Sequence, residues 1–207
     1  MARIEGVPAG KAGPFMRLVY WMARRHMRQL AGRETERMLE PMEMFARVPR
    51  LLFGYGMLEW AAGTSHLVDH RLRDLAELKA ATLTNCEYCI DLGSSISRRH
   101  GLSDEQLLAL SRYRDSQLFS DIDKLVLDYA VGMSRTPVEV SDELFSALRQ
   151  HFDDAQLVEL TSVIALENLR GRFNLALGIG AAGFSEGMVC AIPDPPAAAP
   201  LPGLAAR

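Results

Sequence analysis

Two helices and the turn between them are written into Arg71-Leu72-Arg73-Asp74-Leu75-Ala76-Glu77-Leu78-Lys79-Ala80-Ala81-Thr82-Leu83-Thr84-Asn85-Cys86-Glu87-Tyr88-Cys89-Ile90-Asp91-Leu92-Gly93-Ser94-Ser95. Leu72, Leu75, Ala76, Lys79 and Leu83 recur at helical spacing, and Asp74 and Glu77 share another face of the same helix. Thr84 followed three residues later by Glu87 has the form of a capping box, which predicts a second helix starting there. That helix runs from about Asn85 to His100, where Arg98, Arg99 and His100 suit its negative end and Gly101 ends it. Cys86 and Cys89 stand at the start of the second helix, one turn apart on one face. A first-turn thiolate is favoured by unpaired amides and the helix dipole, and a second sulfur within reach makes a dithiol redox centre.

Reading outward, the rest of the chain is also helical. Pro14 precedes a basic helical pattern from Phe15 to about Leu39, with Val19, Met22 and Leu30 as its packing residues and Arg17, Arg24, Arg25, Arg28 and Arg33 along it. A helix lying on a membrane surface is the competing reading, set aside because the apolar content is modest. Pro41 and Pro49 each open a further helix, and the second carries Leu51, Leu52, Phe53, Met57, Leu58 and Trp60 as core. Ser103, Ser120, Ser141 and Asp153 or Asp154 start the later helices, the last of them reaching Leu177. No stretch alternates with period two, so the fold class is all-α. Residues 1–14, rich in Gly and Pro, are expected to be a flexible leader. Residues 15–190 form a single all-α domain, and 191–207 a disordered Pro/Ala-rich tail.

Composition narrows the function. The 207 residues are 48% hydrophobic and 24% charged, values of an ordinary globular domain with length enough for a core. A net charge of −3 gives no global electrostatic case for nucleic acid. Three cysteines with one close pair are unlike a secreted disulfide framework. In a reducing compartment that spacing points to catalysis or metal binding. No apolar run is long enough to span a bilayer or to read as a secretory signal, so a cytoplasmic location is expected.

Two alternatives stand beside the redox reading of the cysteines. Cys86 and Cys89 with His66 and His70 offer Cys₂His₂ ligands for zinc, though with loop lengths unlike a finger. The cysteines also suit two inert, buried positions. Glu167, Arg170 and Asn174 fall on one face of the last helix, an unusually polar set for a core helix, and suit either a solvated surface or a hydrogen-bonded network. Cys190 has no partner in sequence.

Leu72-Arg73-Asp74-Leu75-Ala76-Glu77-Leu78, Cys86-Glu87-Tyr88-Cys89-Ile90-Asp91 and Gly101-Leu102-Ser103 together resemble the carboxymuconolactone decarboxylase-like superfamily, and within it the alkylhydroperoxidase D (AhpD)-like branch. Glu167-Asn168-Leu169-Arg170-Gly171-Arg172-Phe173-Asn174-Leu175-Ala176-Leu177-Gly178 resembles the closing helix of longer members, so the likeness spans residues 40 to 190. It implies an AhpD-like helical fold with a helix-turn-helix CxxC core, assembled as homo-oligomers. It also implies thiol-dependent reduction of hydroperoxides without a cofactor or metal. In the AhpD type the second cysteine attacks peroxide, the first resolves it as an intramolecular disulfide, and a dihydrolipoyl group or other dithiol reduces that. Carried over, Cys89 attacks and Cys86 resolves, whereas the helix dipole alone favours Cys86 as the nucleophile.

The proton relay departs from the family pattern. The glutamate twelve residues before the first cysteine is matched by Asp74, and the histidine four residues after the second is Gly93. Asp74 with Glu77 or Asp91 is then the expected proton-transfer group. Two other functions are weighed against the peroxidase: a lactone or cyclic-acid decarboxylase or lyase working through Glu167, Arg170 and Asn174, and a non-catalytic oligomer whose dithiol senses redox state. Family enzymes that decarboxylate carboxymuconolactone generally lack the CxxC.

Overall fold

The computed structural model describes residues 2–195. Among them are nine α-helices and no strand, in agreement with the all-α reading: α1 Pro14–Ala31, α2 Glu40–Phe45, α3 Pro49–Thr64, α4 His70–Thr84, α5 Glu87–Arg99, α6 Asp104–Ala109, α7 Asp121–Ser134, α8 Asp142–Leu148 and α9 Asp154–Leu177. Helix starts follow the side chains the sequence marks. Ser103, Ser120 and Asp153 each cap with a reciprocal bond from the N3 residue, and Ser141 caps α8 through the Leu144 N–H.

Helix α4 is the axle of the molecule. Leu75, Leu78 and Ala81 face a core built with α1, α2, α5 and α6. Leu72, Ala76 and Ala80 face a second core built with α7, α8 and α9. A helix buried on two sides has no room for solvated charges, so its buried cations find partners. Arg73 donates to the carbonyls of Ser65 and Ala62 and lies 3.2 Å from a Glu159 oxygen. Lys79, 2% exposed, is held by Asp194 at 2.8 and 2.9 Å.

Several expectations are corrected. Residues 2–13, expected to be a flexible leader, make contacts with the domain: the Arg3 N–H donates to Leu177 O, the Val7 N–H donates to Glu43 O, and the Tyr20 hydroxyl donates to Val7 O. Residues 191–195 are likewise packed against the domain, because Ala191 is buried on Ser94 and Asp194 reaches into α4; the remainder of the expected tail lies outside the described residues. Helix α1 stops at Ala31 rather than near Leu39. It packs through Met16, Tyr20, Ala23, Met27 and Ala31, while Met22 and Leu30 are exposed. In α3 only Leu52 is buried; Phe53 is 72% and Trp60 63% exposed, so the apolar residues read as core form a surface.

Candidate functional site

The site begins at the turn between α4 and α5, which the structure builds differently from the expected capping box. Thr84 stays inside α4, its hydroxyl donating back to Ala80 O and Ala81 O. Asn85 takes the left-handed conformation at φ 56°, as Asn tolerates better than most residues, and the Cys86 N–H closes the turn on Ala81 O. Cys86 is itself the N-cap of α5: its Sγ accepts from the Cys89 N–H at 3.3 Å. The two sulfurs are joined as a disulfide across a Cα–Cα separation of 5.2 Å.

The two cysteines differ in access. Cys86 is fully enclosed at 0% exposure, and Cys89 retains 7%. Over both sulfurs lies Asn174 of α9, whose Nδ2 is 3.5 Å from the Cys86 sulfur and 3.6 Å from that of Cys89. Its Oδ1 is buried and has no partner among the described residues. Helix α9 comes this close because Gly171 crosses against Thr84; a Cβ on Gly171 would lie 2.5 Å from the Thr84 Oγ1.

One turn of α9 before Asn174, Arg170 gathers three carboxylates from three helices. It donates to Glu59 of α3 at 2.8 and 2.6 Å, to Glu77 of α4 at 2.8 Å and to Glu167 of α9 at 2.9 Å. Glu167 is the most enclosed and keeps one oxygen, Oε1, without a partner. Burial pushes its carboxyl up to about 7, against the opposing pull of Arg170. Burial works the same way on Glu59, but the charge and hydrogen bonds of Arg170 outweigh it and hold that carboxyl below its ordinary value. Tyr55 stands against Glu59, and burial raises its phenol further.

The other expected relay groups lie elsewhere. Asp74 is at the far end of the α4–α5 hairpin, 2.6 Å from the His100 Nδ1; twelve helical residues separate it from Cys86 by about 18 Å. Its carboxyl is pushed up to about 6 by burial, with His100 opposing. Asp91 is close to the cysteines in sequence, but its carboxylate accepts four backbone N–H groups, from Ala182, Gly183, Phe184 and Ser185, at 2.6 to 3.0 Å. Its oxygens are committed to tying down that loop. Gly93, at the position of the absent histidine, faces α4 so closely that a Cβ would lie 3.1 Å from the Leu78 Cδ1. His66 and His70 sit at the start of α4 and the cysteines just past its end, roughly 20 Å apart along its axis, so the Cys₂His₂ zinc reading is ruled out. Among the described residues no group of three or more His, Cys, Asp or Glu side chains is placed to hold a metal ion.

The structure therefore joins Cys86 and Cys89 beneath Asn174 and gathers Glu77 with Glu59 and Glu167 around Arg170, one turn of α9 before Asn174, with Glu77 nine helical residues or about 13 Å from Cys86; Asp74 and Asp91 are held in other contacts. It adds Glu167, Arg170 and Asn174, which the sequence marks as a polar face of the last helix. It also adds Glu59 and Tyr55, which sequence reasoning missed. Glu59 did carry a signal, as the single acidic residue in a largely apolar helix.

Comparison with known proteins agrees with the all-α fold. The family model of the carboxymuconolactone decarboxylase family matches residues 46–127. The uncharacterized protein YnjA of Escherichia coli (strain K12) is 35% identical over 189 residues, covering 90% of this chain and 96% of YnjA. Among solved structures, the debrominase Bmp8, as a cysteine-to-alanine variant in complex with 2,3,4-tribromopyrrole, superimposes with a TM-score of 0.72 at 19% identity, over 88% of this chain and 94% of that one. A protein of unknown function from Agrobacterium tumefaciens, named for AhpD-type antioxidant defence, gives a TM-score of 0.62 at 25% identity, over 66% of this chain and 94% of that one.

Proposed function

The chain belongs to the carboxymuconolactone decarboxylase family, and from that premise we propose that it is a thiol-dependent peroxidase of the AhpD-like type. The observation that carries the reading is the joined pair Cys86–Cys89 at the mouth of α5, with the less enclosed sulfur on Cys89. In the reduced protein the Cys89 thiolate attacks a hydroperoxide. The O–O bond breaks, an S–O bond forms, and the alcohol leaves with a proton. The Cys86 thiol then attacks the Cys89 sulfenic acid, releasing water and forming the disulfide. A dihydrolipoyl group or other dithiol returns two electrons and two protons and is itself oxidised to a disulfide.

The greater exposure of Cys89 supports it as the attacking residue, in keeping with the family resemblance. The helix dipole does less for Cys86 than its sequence position suggests, because that residue is the cap and not the first turn, and it is fully enclosed. Proton transfer falls to the Glu77–Arg170–Glu167 cluster in this reading. Arg170, with Arg73 more distant at 3.9 Å from Glu77 and shared with Glu159, cannot balance all these carboxylates ionised, and Glu167, the most enclosed, is the one that keeps a proton toward neutrality.

The test is peroxide consumption driven by a dithiol. Cys89→Ser is expected to abolish it, and Cys86→Ser to stop the reaction after one equivalent with a sulfenic acid on Cys89. Full turnover by the Cys89→Ser protein would overturn the proposal, and a lyase acting through Glu167, Arg170 and Asn174 would then take its place.

A second copy of the chain belongs to the same proposal. The outer face of α3 presents Leu51, Phe53, Met57, Leu58 and Trp60 to solvent, an apolar surface of the kind that marks protein–protein contact. That face is nearly free of charge and so complements itself, as an isologous contact requires. Because α3 also carries Glu59, covering it would further enclose the carboxylate cluster.

A further inference from the structure

Asn174 is 3% exposed and aims at the reacting atoms from a helix far away in sequence. A buried primary amide has four hydrogen-bonding positions to fill. Among the described residues its donor end meets two disulfide sulfurs, which are weak acceptors, and its acceptor end has no partner. Such an amide is poorly satisfied in the oxidised protein and cannot turn to water. An anionic sulfur would give its N–H groups a strong acceptor. An O–H group grown on that sulfur would give its oxygen a donor.

We propose that Asn174 is a catalytic residue of the dithiol cycle, its Nδ2 holding the Cys89 thiolate and its Oδ1 accepting the O–H of the Cys89 sulfenic acid. The inference rests on the dithiol reading of this site and adds to it the group that sets the nucleophile. In the first step the amide stabilises the sulfur that donates its electron pair to the peroxide oxygen. In the second it fixes the sulfenic O–H, so that Cys86 meets the Cys89 sulfur while hydroxide departs with the Cys86 proton as water. When an external dithiol opens the disulfide, the same N–H groups receive the thiolate that leaves. The role falls to α9 because α5 cannot supply it: Gly93 has no side chain, and Asp91 is occupied by four backbone amides.

The test isolates the sulfur from the peroxide chemistry. In a protein carrying Cys86→Ser and Cys190→Ser, Cys89 is the single thiol, and its titration is read from the pH dependence of iodoacetamide alkylation. Asn174→Ala is expected to raise the thiol pKa by about one to two units, slowing alkylation at pH 7 about tenfold or more. Asn174→Leu keeps the size and removes the donor without adding a charge, so it is expected to raise the pKa as alanine does. If the alanine variant fails to fold, the leucine variant still decides. An unchanged thiol pKa in a variant that keeps its helical circular dichroism and melting temperature would overturn the proposal. The two readings fail separately. A shifted pKa in a protein that consumes no peroxide would leave Asn174 in place and sink the peroxidase. Full turnover with an unshifted pKa would do the reverse.

Discussion

Glu167 shows how one residue links the site to the stability of the fold. Folded, its carboxyl holds a proton up to about 7, whereas its ordinary value is 4.5. Folding therefore takes up a proton between those values, and stability is lost as pH rises through that window. The contribution is about 3 kcal/mol. Asp74, raised from 3.8 to about 6, acts in the same direction at slightly lower pH. Urea unfolding across pH 4 to 8 is expected to show the decline in the wild type and roughly half of it in Glu167→Gln, the part above about pH 6 being lost first because Asp74 acts at lower pH. The same variant is expected to lose any inflection near pH 7 in peroxide consumption; an inflection that persists would take the proton from Glu167 and give it to another group. Glu167 was visible in the sequence only as part of a polar stripe. Its importance comes from Arg170, Glu59 and Glu77 converging from three helices, a juxtaposition that local spacing does not encode.

Among the elements, the α4–α5 hairpin was legible and its turn was not. Apolar spacing sufficed for α4, and the run from Glu87 to Arg99 with its basic end sufficed for α5. The turn fell to a competition between two caps that sequence cannot settle: Thr84 bonds backward into α4, and a thiol takes the capping place usually held by a hydroxyl or carboxylate. The apolar residues of α3 misled for a different reason. A helix hydrophobic all round reads as buried, and the pattern is silent on whether the cover comes from the same chain. The crossing of α9 over α4 was equally silent, since it depends on Gly171 having no side chain beside Thr84. Gly171→Ala is expected to cost about 1–3 kcal/mol by overpacking and to lift Asn174 from the sulfurs, lowering peroxide consumption along with the melting temperature. Adding Thr84→Ala is expected to recover part of both. A Gly171→Ala protein with wild-type melting and activity would show that the helices yield without consequence.

At the scale of the whole molecule, fold class follows from periodicity, whereas which apolar face of α3 stays bare depends on the second copy proposed above. Phe53→Glu with Trp60→Glu is expected to leave the chain folded and to reduce its mass in light scattering to that of one copy; an unchanged mass would place the contact elsewhere or show that the chain is a monomer. Helix α4 also imposes an order on how the chain is made. Lys79 is buried in the axle of the fold, and the carboxylate that neutralises it arrives 115 residues later. A ribosome that has released α4 and α5 has released a hairpin with its ammonium still unanswered. Until Asp194 has left the exit tunnel, that hairpin can collapse but cannot close over its charge, so completion of the first core is a late event in synthesis even though its helices are local.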